Sequence, residues 1–179
     1  MKDIVISDAV KYIGADDKDL DLFESQYIVP NGVSYNSYVI LDEKIAVMDT
    51  IDTRKTDEWK ENLERDGRTP DYLVVSHLEP DHAGSIKEFA DKYPEAKIVA
   101  SAKAIAMLPQ FFEIADLADR AVAVKEGEEL SLGSHTLQFF MAPMVHWPEV
   151  MVEYEKSEKI LFSADGFGKF GALDADEDW

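Results

Sequence analysis

The chain contains no cysteine. Disulfides, thiolate catalysis and cysteine-ligated metal clusters are therefore excluded. Basic residues are scarce: 18 Lys and Arg stand against 37 Asp and Glu, a formal charge of −19. A field of that sign argues against nucleic acid and anionic membrane surfaces as partners, and it suits cations or a basic protein. No apolar run approaches the roughly 20 residues that span a bilayer. Met1-Lys2-Asp3 leads directly into Ile4-Val5-Ile6 with no secretory leader, so the expected compartment is the cytoplasm. No glycine-rich, phosphate-cradling loop follows a predicted strand, so nothing here is expected to bind flavin. What is present is a chain of 179 residues, 46% of them hydrophobic, enough for one domain with a real core.

The most informative stretch is Ser76-His77-Leu78-Glu79-Pro80-Asp81-His82-Ala83-Gly84-Ser85. It packs four metal-competent side chains, His77, Glu79, Asp81 and His82, into one hexapeptide. Tyr72-Leu73-Val74-Val75 ahead of it reads as a buried strand. Behind it, Ile86, Phe89, Ala90 and Tyr93 share one helical face, and Ser85 with Glu88 fits a capping box. The chemistry therefore falls between a strand end and a helix start, where open α/β layers place their ligands.

The remaining pattern is mixed. Residues 4–13 read as one or two short strands, and Asp16 to Asp21 as an acidic turn. Leu22-Phe23 and Tyr27-Ile28-Val29 read as short core strands, with a turn at Pro30-Asn31-Gly32. Ser37–Leu41 and Lys44–Asp49 pair across Asp42-Glu43. A helix spans Thr56 to Glu64 with Trp59 and Leu63 inward, and Gly67 stops it. Lys97–Ala100 and Ala121–Val124 are strands, with a helix from Ala102 to about Leu108 after a Ser101 cap. Leu130 to Phe140 suggests a hairpin, and Val150–Tyr154 pairs with Ile160–Ser163. Hairpins alternating with strand–helix units favour a layered α/β fold with mostly antiparallel strands over a parallel Rossmann sheet.

Two further candidate ligands lie far away. His146 follows Ala142-Pro143-Met144-Val145, and Asp165 follows Leu161-Phe162-Ser163-Ala164, each beyond an apolar strand. His77 and Glu79 alternate, so an extended backbone aims both the same way. Six nitrogen and oxygen ligands could serve two ions if one carboxylate bridges, and they suit iron, manganese or zinc. The competing reading is a solvated, cap-rich loop. His135, in Gly133-Ser134-His135, reads as a turn residue unrelated to metal.

His77-Leu78-Glu79-Pro80-Asp81-His82 resembles the H-x-E-x-D-H signature of flavodiiron proteins. Gly32–Tyr38, His146-Trp147-Pro148-Glu149 and Ser163–Gly168 are similar to other segments of that family, and the resemblance runs from about residue 3 to Trp179. It implies a metallo-β-lactamase-like αββα sandwich. It also implies two irons: His77, Glu79 and His146 on one, Asp81 and His82 on the second, and Asp165 between them. Hydrolytic relatives usually carry histidine where Glu79 stands, and the extra carboxylate favours iron over zinc. The implied activity is reduction of dioxygen to water or of nitric oxide to nitrous oxide, with electrons from a flavin. Alternatives are a binuclear metallohydrolase, a non-catalytic di-iron oxygen sensor and an inactive remnant.

The family also supplies a later histidine to the second iron, but no histidine follows Asp165 here. The second site is therefore expected to be incomplete and the isolated chain impaired. The C-terminal portion of the sandwich and the flavodoxin-like domain carrying flavin mononucleotide (FMN) are expected on a longer protein or a complementary chain. Self-association could also cover the exposed sheet faces. An electron-donor protein would be a further partner. The acidic tail from Asp174 to Trp179 is expected to be loose.

Overall fold

The structure, a computed structural model, describes residues 4, 6–65, 67 and 69–172; the acidic tail lies outside them. Strands β1 (Val10–Tyr12), β2 (Ala15–Asp17), β3 (Leu22–Phe23), β4 (Tyr27–Ile28), β5 (Val33–Tyr35), β6 (Tyr38–Ile40) and β7 (Ala46–Met48) precede helix α1 (Thr56–Glu64). Then come β8 (Tyr72–Val75), α2 (Pro80–Ala83), α3 (Ile86–Lys92), β9 (Lys97–Ser101), α4 (Ala102–Met107), α5 (Leu117–Arg120) and β10 (Ala121–Val124). Strands β11 (Glu129–Ser131), β12 (Thr136–Met141), β13 (Met151–Glu155) and β14 (Ile160–Phe162) close the chain.

Two sheets carry the architecture. The first has the order β1-β6-β7-β8-β9-β10. Its β7–β8, β8–β9 and β9–β10 pairs are parallel, and its other pairs are antiparallel. The second is an antiparallel β11-β12-β13-β14 meander. Residues on both faces of the first sheet's centre are buried: Ala46 to Met48, Leu73 to Val75 and Ile98 to Ala100. Such continuous apolar runs require cover on both sides. Trp59 of α1 and Phe89 of α3, with ring centroids 6.3 Å apart, belong to the same core. The second sheet supplies Leu137, Phe139, Met151 and Phe162 from its inner face. Its outward residues Phe140, Val152, Tyr154 and Leu161 are half-buried or exposed. This is the expected metallo-β-lactamase-like sandwich, with no helix over the outer face of the second sheet among the described residues. No helix among them is long and apolar enough to cross a membrane.

The α1 helix has the anticipated bounds and buries Trp59 and Leu63. Gly67 ends that segment with φ +65°, its N–H bonded to the Glu64 carbonyl at 2.9 Å, a left-handed turn that favours glycine. Other expectations need correction. Asp16 to Asp21 is not simply a turn: Asp17 lies in β2, fully buried, accepting from Arg54 Nε at 2.5 Å and Tyr35 Oη at 3.1 Å. The β3–β4 hairpin is core only in part: Phe23 packs against the core and Val29 just after it is buried, but Leu22, Tyr27 and Ile28 are exposed. The Ser85–Glu88 capping box does not form. Ser85 makes no side-chain cap bond because its hydroxyl is 2.7 Å from the Thr56 hydroxyl.

Arg120 closes the lower end of the first layer. Its guanidinium donates to the carbonyls of Ala96 (3.0 Å), Ala90 (3.0 Å) and Tyr93 (2.8 Å), and it is buried. Those carbonyls lie at and just beyond the end of α3, where a cation also complements the helix dipole. Arg120→Ala should cost about 3 kcal/mol in chemical denaturation, because three acceptors lose their donor. Lysine should not rescue it, since an ammonium cannot reproduce the planar fork. A loss under about 1 kcal/mol would show that water replaces those bonds.

His135 has a structural partner, as its turn position suggested. Its Nδ1 lies 2.8 Å from Asp42 Oδ2 and its backbone N–H donates to the same oxygen at 2.7 Å, tying the second sheet to the β6–β7 turn. Burial alone would lower the His135 pKa, but Asp42, Glu155 and Glu158 outweigh it and raise it. Burial likewise opposes ionisation of Asp42, yet His135 and the Glu43 N–H hold its pKa below the ordinary value. The histidine's contribution is thus full below its unfolded pKa, about 6.5, and is lost as pH rises through its higher folded value. The Asp42 contribution is present above about 3.9 and is lost as pH falls through its lowered folded value. Thermal denaturation at constant ionic strength should therefore show this clamp strongest between about pH 4 and 6.5. His135→Gln should remove the part of the pH dependence above that window; an unaltered profile would refute the assignment.

Candidate metal centre

The three ligand-bearing segments converge at one end of the sandwich. Strand β8 ends at Val75, the chain bends at Ser76, and Glu79 has extended dihedrals (φ −64°, ψ 146°) before Pro80 starts α2. Proline suits a first helical position, where no backbone donor is needed. His77 and Glu79 do point together: His77 Nε2 is 3.1 Å from Glu79 Oε2. His146, beyond β12, brings its Nε2 to 2.9 Å from the same oxygen. Asp165, beyond β14, reaches across both neighbourhoods. Its Oδ2 lies 3.5 Å from the Nε2 atoms of His77 and of His146, while its Oδ1 lies 2.8 Å from His82 Nε2. Asp81 Oδ2 is 3.6 Å from His82 Nε2.

Two groups result: His77, Glu79, His146 and Asp165 in one, and Asp81, His82 and Asp165 in the other, with potential ligand atoms within 4.8 Å of one another in each. All six candidate residues are brought together, and Asp165 is common to both groups. The second group is the poorer one, with a single histidine. This cluster is consistent with a di-iron site whose second position is incomplete.

Neighbouring carboxylates orient the rings. His77 Nδ1 faces Glu149 Oε1 at 2.8 Å, and the Leu78 N–H donates to the same oxygen at 3.0 Å. His82 Nδ1 faces Asp49 Oδ2 at 3.1 Å, while the Ser76 N–H donates to Asp49 Oδ1 at 2.7 Å. A carboxylate at Nδ1 favours the Nδ1–H tautomer and directs each Nε2 lone pair inward. Asp49 reaches both partners from a left-handed turn, φ 54°, after β7. Asp is one of the few residues besides glycine to tolerate that region. Thr50 completes the support, its N–H and hydroxyl donating to the His82 carbonyl at 2.8 and 2.9 Å.

The electrostatics fit a cation. Burial pushes the Asp81 carboxyl up to about 6, and its Oδ1 is buried without a hydrogen-bond partner. An orphaned buried carboxylate oxygen beside an inward imidazole nitrogen is satisfied by a metal ion. The His77 hydrogen bond holds Glu79 down to about 2. Burial would raise Asp165, but His82 outweighs it and holds the carboxyl below its usual value. Burial would also lower the pKa values of His77 and His82. Glu79 and Glu149 raise the first, and Asp165 and Asp49 raise the second.

A cavity of about 590 Å³ opens onto Glu79, Asp81, His82, His146 and Asp165 and is rimmed by Phe23, Tyr27 and Phe170. Glu24, on the β3–β4 turn, hydrogen-bonds Glu79 and is pushed up to about 7 by that contact. Sequence reasoning did not single out Asp49, Ser76 or Glu24, and it noted Glu149 only within its motif. Their roles depend on partners distant in the chain, and only an acidic residue closing a predicted strand, as Asp49 does, offered a local signal.

Comparison with known proteins agrees with this geometry. The family described as "ODP family beta lactamase" matches residues 33–178. The flavodiiron protein of Giardia intestinalis superposes with a TM-score of 0.91 at 30% identity, covering 100% of this chain and 43% of that one. The rubredoxin oxygen:oxidoreductase of Desulfovibrio gigas gives a TM-score of 0.86 at 34% identity, covering 94% of this chain and 42% of that one. A protein named nitric oxide reductase from Moorella thermoacetica is 33% identical over 169 residues, 93% of this chain and 42% of its own length. The chain therefore spans less than half the length of these relatives.

Proposed function

We propose a function from the premise that this chain belongs to the ODP family of beta lactamases and to the flavodiiron proteins within that fold. Residues 1–179 form the di-iron module of an oxidoreductase that reduces dioxygen to water or nitric oxide to nitrous oxide. One observation carries this reading: a single carboxylate, Asp165, faces His82 with one oxygen and His77 and His146 with the other. His77, Glu79 and His146 would hold one iron, Asp81 and His82 the second, and Asp165 would bridge them. Imidazole nitrogens with three carboxylates form a hard, anionic set suited to iron. The iron pair supplies the one-electron chemistry that side chains cannot.

The chain's own residues arrange the rest. Asp49 and Glu149 fix the inward faces of His82 and His77. Phe23, Tyr27 and Phe170 make the cavity rim apolar, which suits entry of a small uncharged gas. Electrons come from FMN on a flavodoxin-like domain or from an electron-donor protein, whose own fold must cradle the phosphate. The relatives named for oxygen and for nitric oxide support both substrates.

Anaerobic loading with Fe(II) tests this reading. The expected result is one firmly held iron and a second that chelators remove first, because its group has only one histidine. Supplied with an FMN-carrying flavodoxin-like domain and reductant, the loaded chain should consume dioxygen or nitric oxide, and should do so more slowly by itself. Retention of zinc over iron with ester or thioester hydrolysis would identify a hydrolase instead. Oxygen bound without turnover under reductant would identify a sensor.

A further inference from the structure

The inner face between the two sheets is apolar around Phe139, Met151 and Phe162, with one unexplained intruder. Glu153, in the middle of β13, is fully buried and lies opposite Phe139 on one side and Phe162 on the other. The Ser76 hydroxyl donates to its Oε2 at 2.9 Å, and its Oε1 has no hydrogen-bond partner. Burial, with Asp49 nearby, pushes this carboxyl well above its usual value. Its strand neighbour Glu155 is buried too, but backbone N–H groups of Thr136, Ser157 and Glu158 donate to it, and it serves the β13–β14 turn. Glu153 has no such local duty. A half-satisfied carboxyl in an apolar layer is destabilising, and a leucine would fill the space without that penalty.

What Glu153 does touch is the hinge of the metal loop. Ser76 immediately precedes His77 and is held at three points. Its N–H donates to Asp49 Oδ1 at 2.7 Å, its carbonyl accepts from the Met151 N–H at 3.1 Å, and its hydroxyl goes to Glu153. The same Asp49 carboxylate meets His82 Nδ1 through its other oxygen. Ser76 is therefore the joint between the second sheet and both imidazoles of the hexapeptide.

We infer that Glu153 is a positioning residue of the metal centre, acting through Ser76 on His77 and through the Ser76–Asp49 pair on His82. It does not touch a metal ligand. It fixes the rotation of Ser76 and hence the place where β8 releases the ligand loop. The inference rests on the metal-binding reading above.

The test titrates the whole chain with Co(II), read by visible absorption, beside thermal unfolding of the metal-free chain. Glu153→Leu should weaken Co(II) binding about tenfold, the scale of an outer-sphere contact, and change the absorption envelope. Its metal-free melting temperature should stay level or rise. A merely structural role predicts that affinity and stability fall together. Glu153→Gln, which keeps an acceptor for Ser76, should restore wild-type affinity. Ser76→Ala should reproduce the leucine phenotype, and the double variant should be no worse than Ser76→Ala. Unchanged affinity and spectrum in Glu153→Leu would overturn the inference, as would failure of glutamine to rescue. If the wild-type chain binds neither Co(II) nor Fe(II), the metal reading itself falls. Ring ¹⁵N shifts of His77 and His82 in the metal-free chain then decide: displacement by leucine but not glutamine upholds the positioning role, and no displacement overturns it.

Discussion

Asp165→Ala is expected to convert a site for two irons into a site for at most one. Asp165 is the single residue common to the two ligand groups. Without it the second group retains only Asp81 and His82, one carboxylate and one imidazole, too few to hold iron against water and chelators. Affinity there should drop on the order of 100-fold or more, since loss of a ligand exceeds the 10–100-fold typical of its outer partners. The first group keeps His77, Glu79 and His146 and should still bind. Iron stoichiometry after chelator challenge, with electron paramagnetic resonance, checks this: an isolated ferric signal should replace the coupled pair. Asp165→Asn should behave similarly, because a neutral amide offers one oxygen where two are needed. Two irons retained in either variant would remove Asp165 from the bridging position and take the proposed chemistry with it.

Much of this centre was legible in the sequence because its chemistry is local. Two histidines and two carboxylates lie between Val75 and Ala83, and a strand followed by a helix makes that hexapeptide a loop at a sheet end. His146 and Asp165 were legible for a related reason: each follows an apolar run, and strands of one sheet deliver their ends to one rim. The outer partners were not legible. Asp49 meets His82 across 33 residues, Glu149 meets His77 across 72 and Ser76 meets Glu153 across 77, so no periodicity connects them. Asp17 reads as part of a solvated turn until Arg54 and Tyr35 arrive from elsewhere. Ser85 has the composition of a cap, but Thr56 of α1 competes for its hydroxyl. Leu22, Tyr27 and Ile28 look like core by residue type, yet their short hairpin lies over the cavity mouth rather than between the sheets. Hydrophobic pattern thus specified the layers, while polar side chains were assigned by partners that only the fold supplies.

The second large effect is expected far from any ligand. Trp59 of α1 is fully buried, and Trp59→Ala should cost about 4 kcal/mol, within the range for deleting a large aromatic from a core. That is a large fraction of the roughly 5–15 kcal/mol that holds a domain together. Its indole has a polar task as well. Nε1 donates to Ser37 Oγ at 2.9 Å, and the Ser37 hydroxyl donates in turn to the Asp49 carbonyl at 2.8 Å. Trp59→Phe keeps most of the volume and removes the indole N–H, so it should cost only about 1–2 kcal/mol. The two variants should therefore separate in function. Alanine lowers the urea midpoint strongly, and metal loss follows from unfolding. Phenylalanine leaves the chain folded but frees the Ser37 hydroxyl to rotate away from Asp49, the residue that aims His82. In Trp59→Phe the second, weaker metal should be lost at lower chelator concentration, with the first retained. Equal retention of both metals in that variant would mean that Asp49 is held by its own turn and not by the helix behind it.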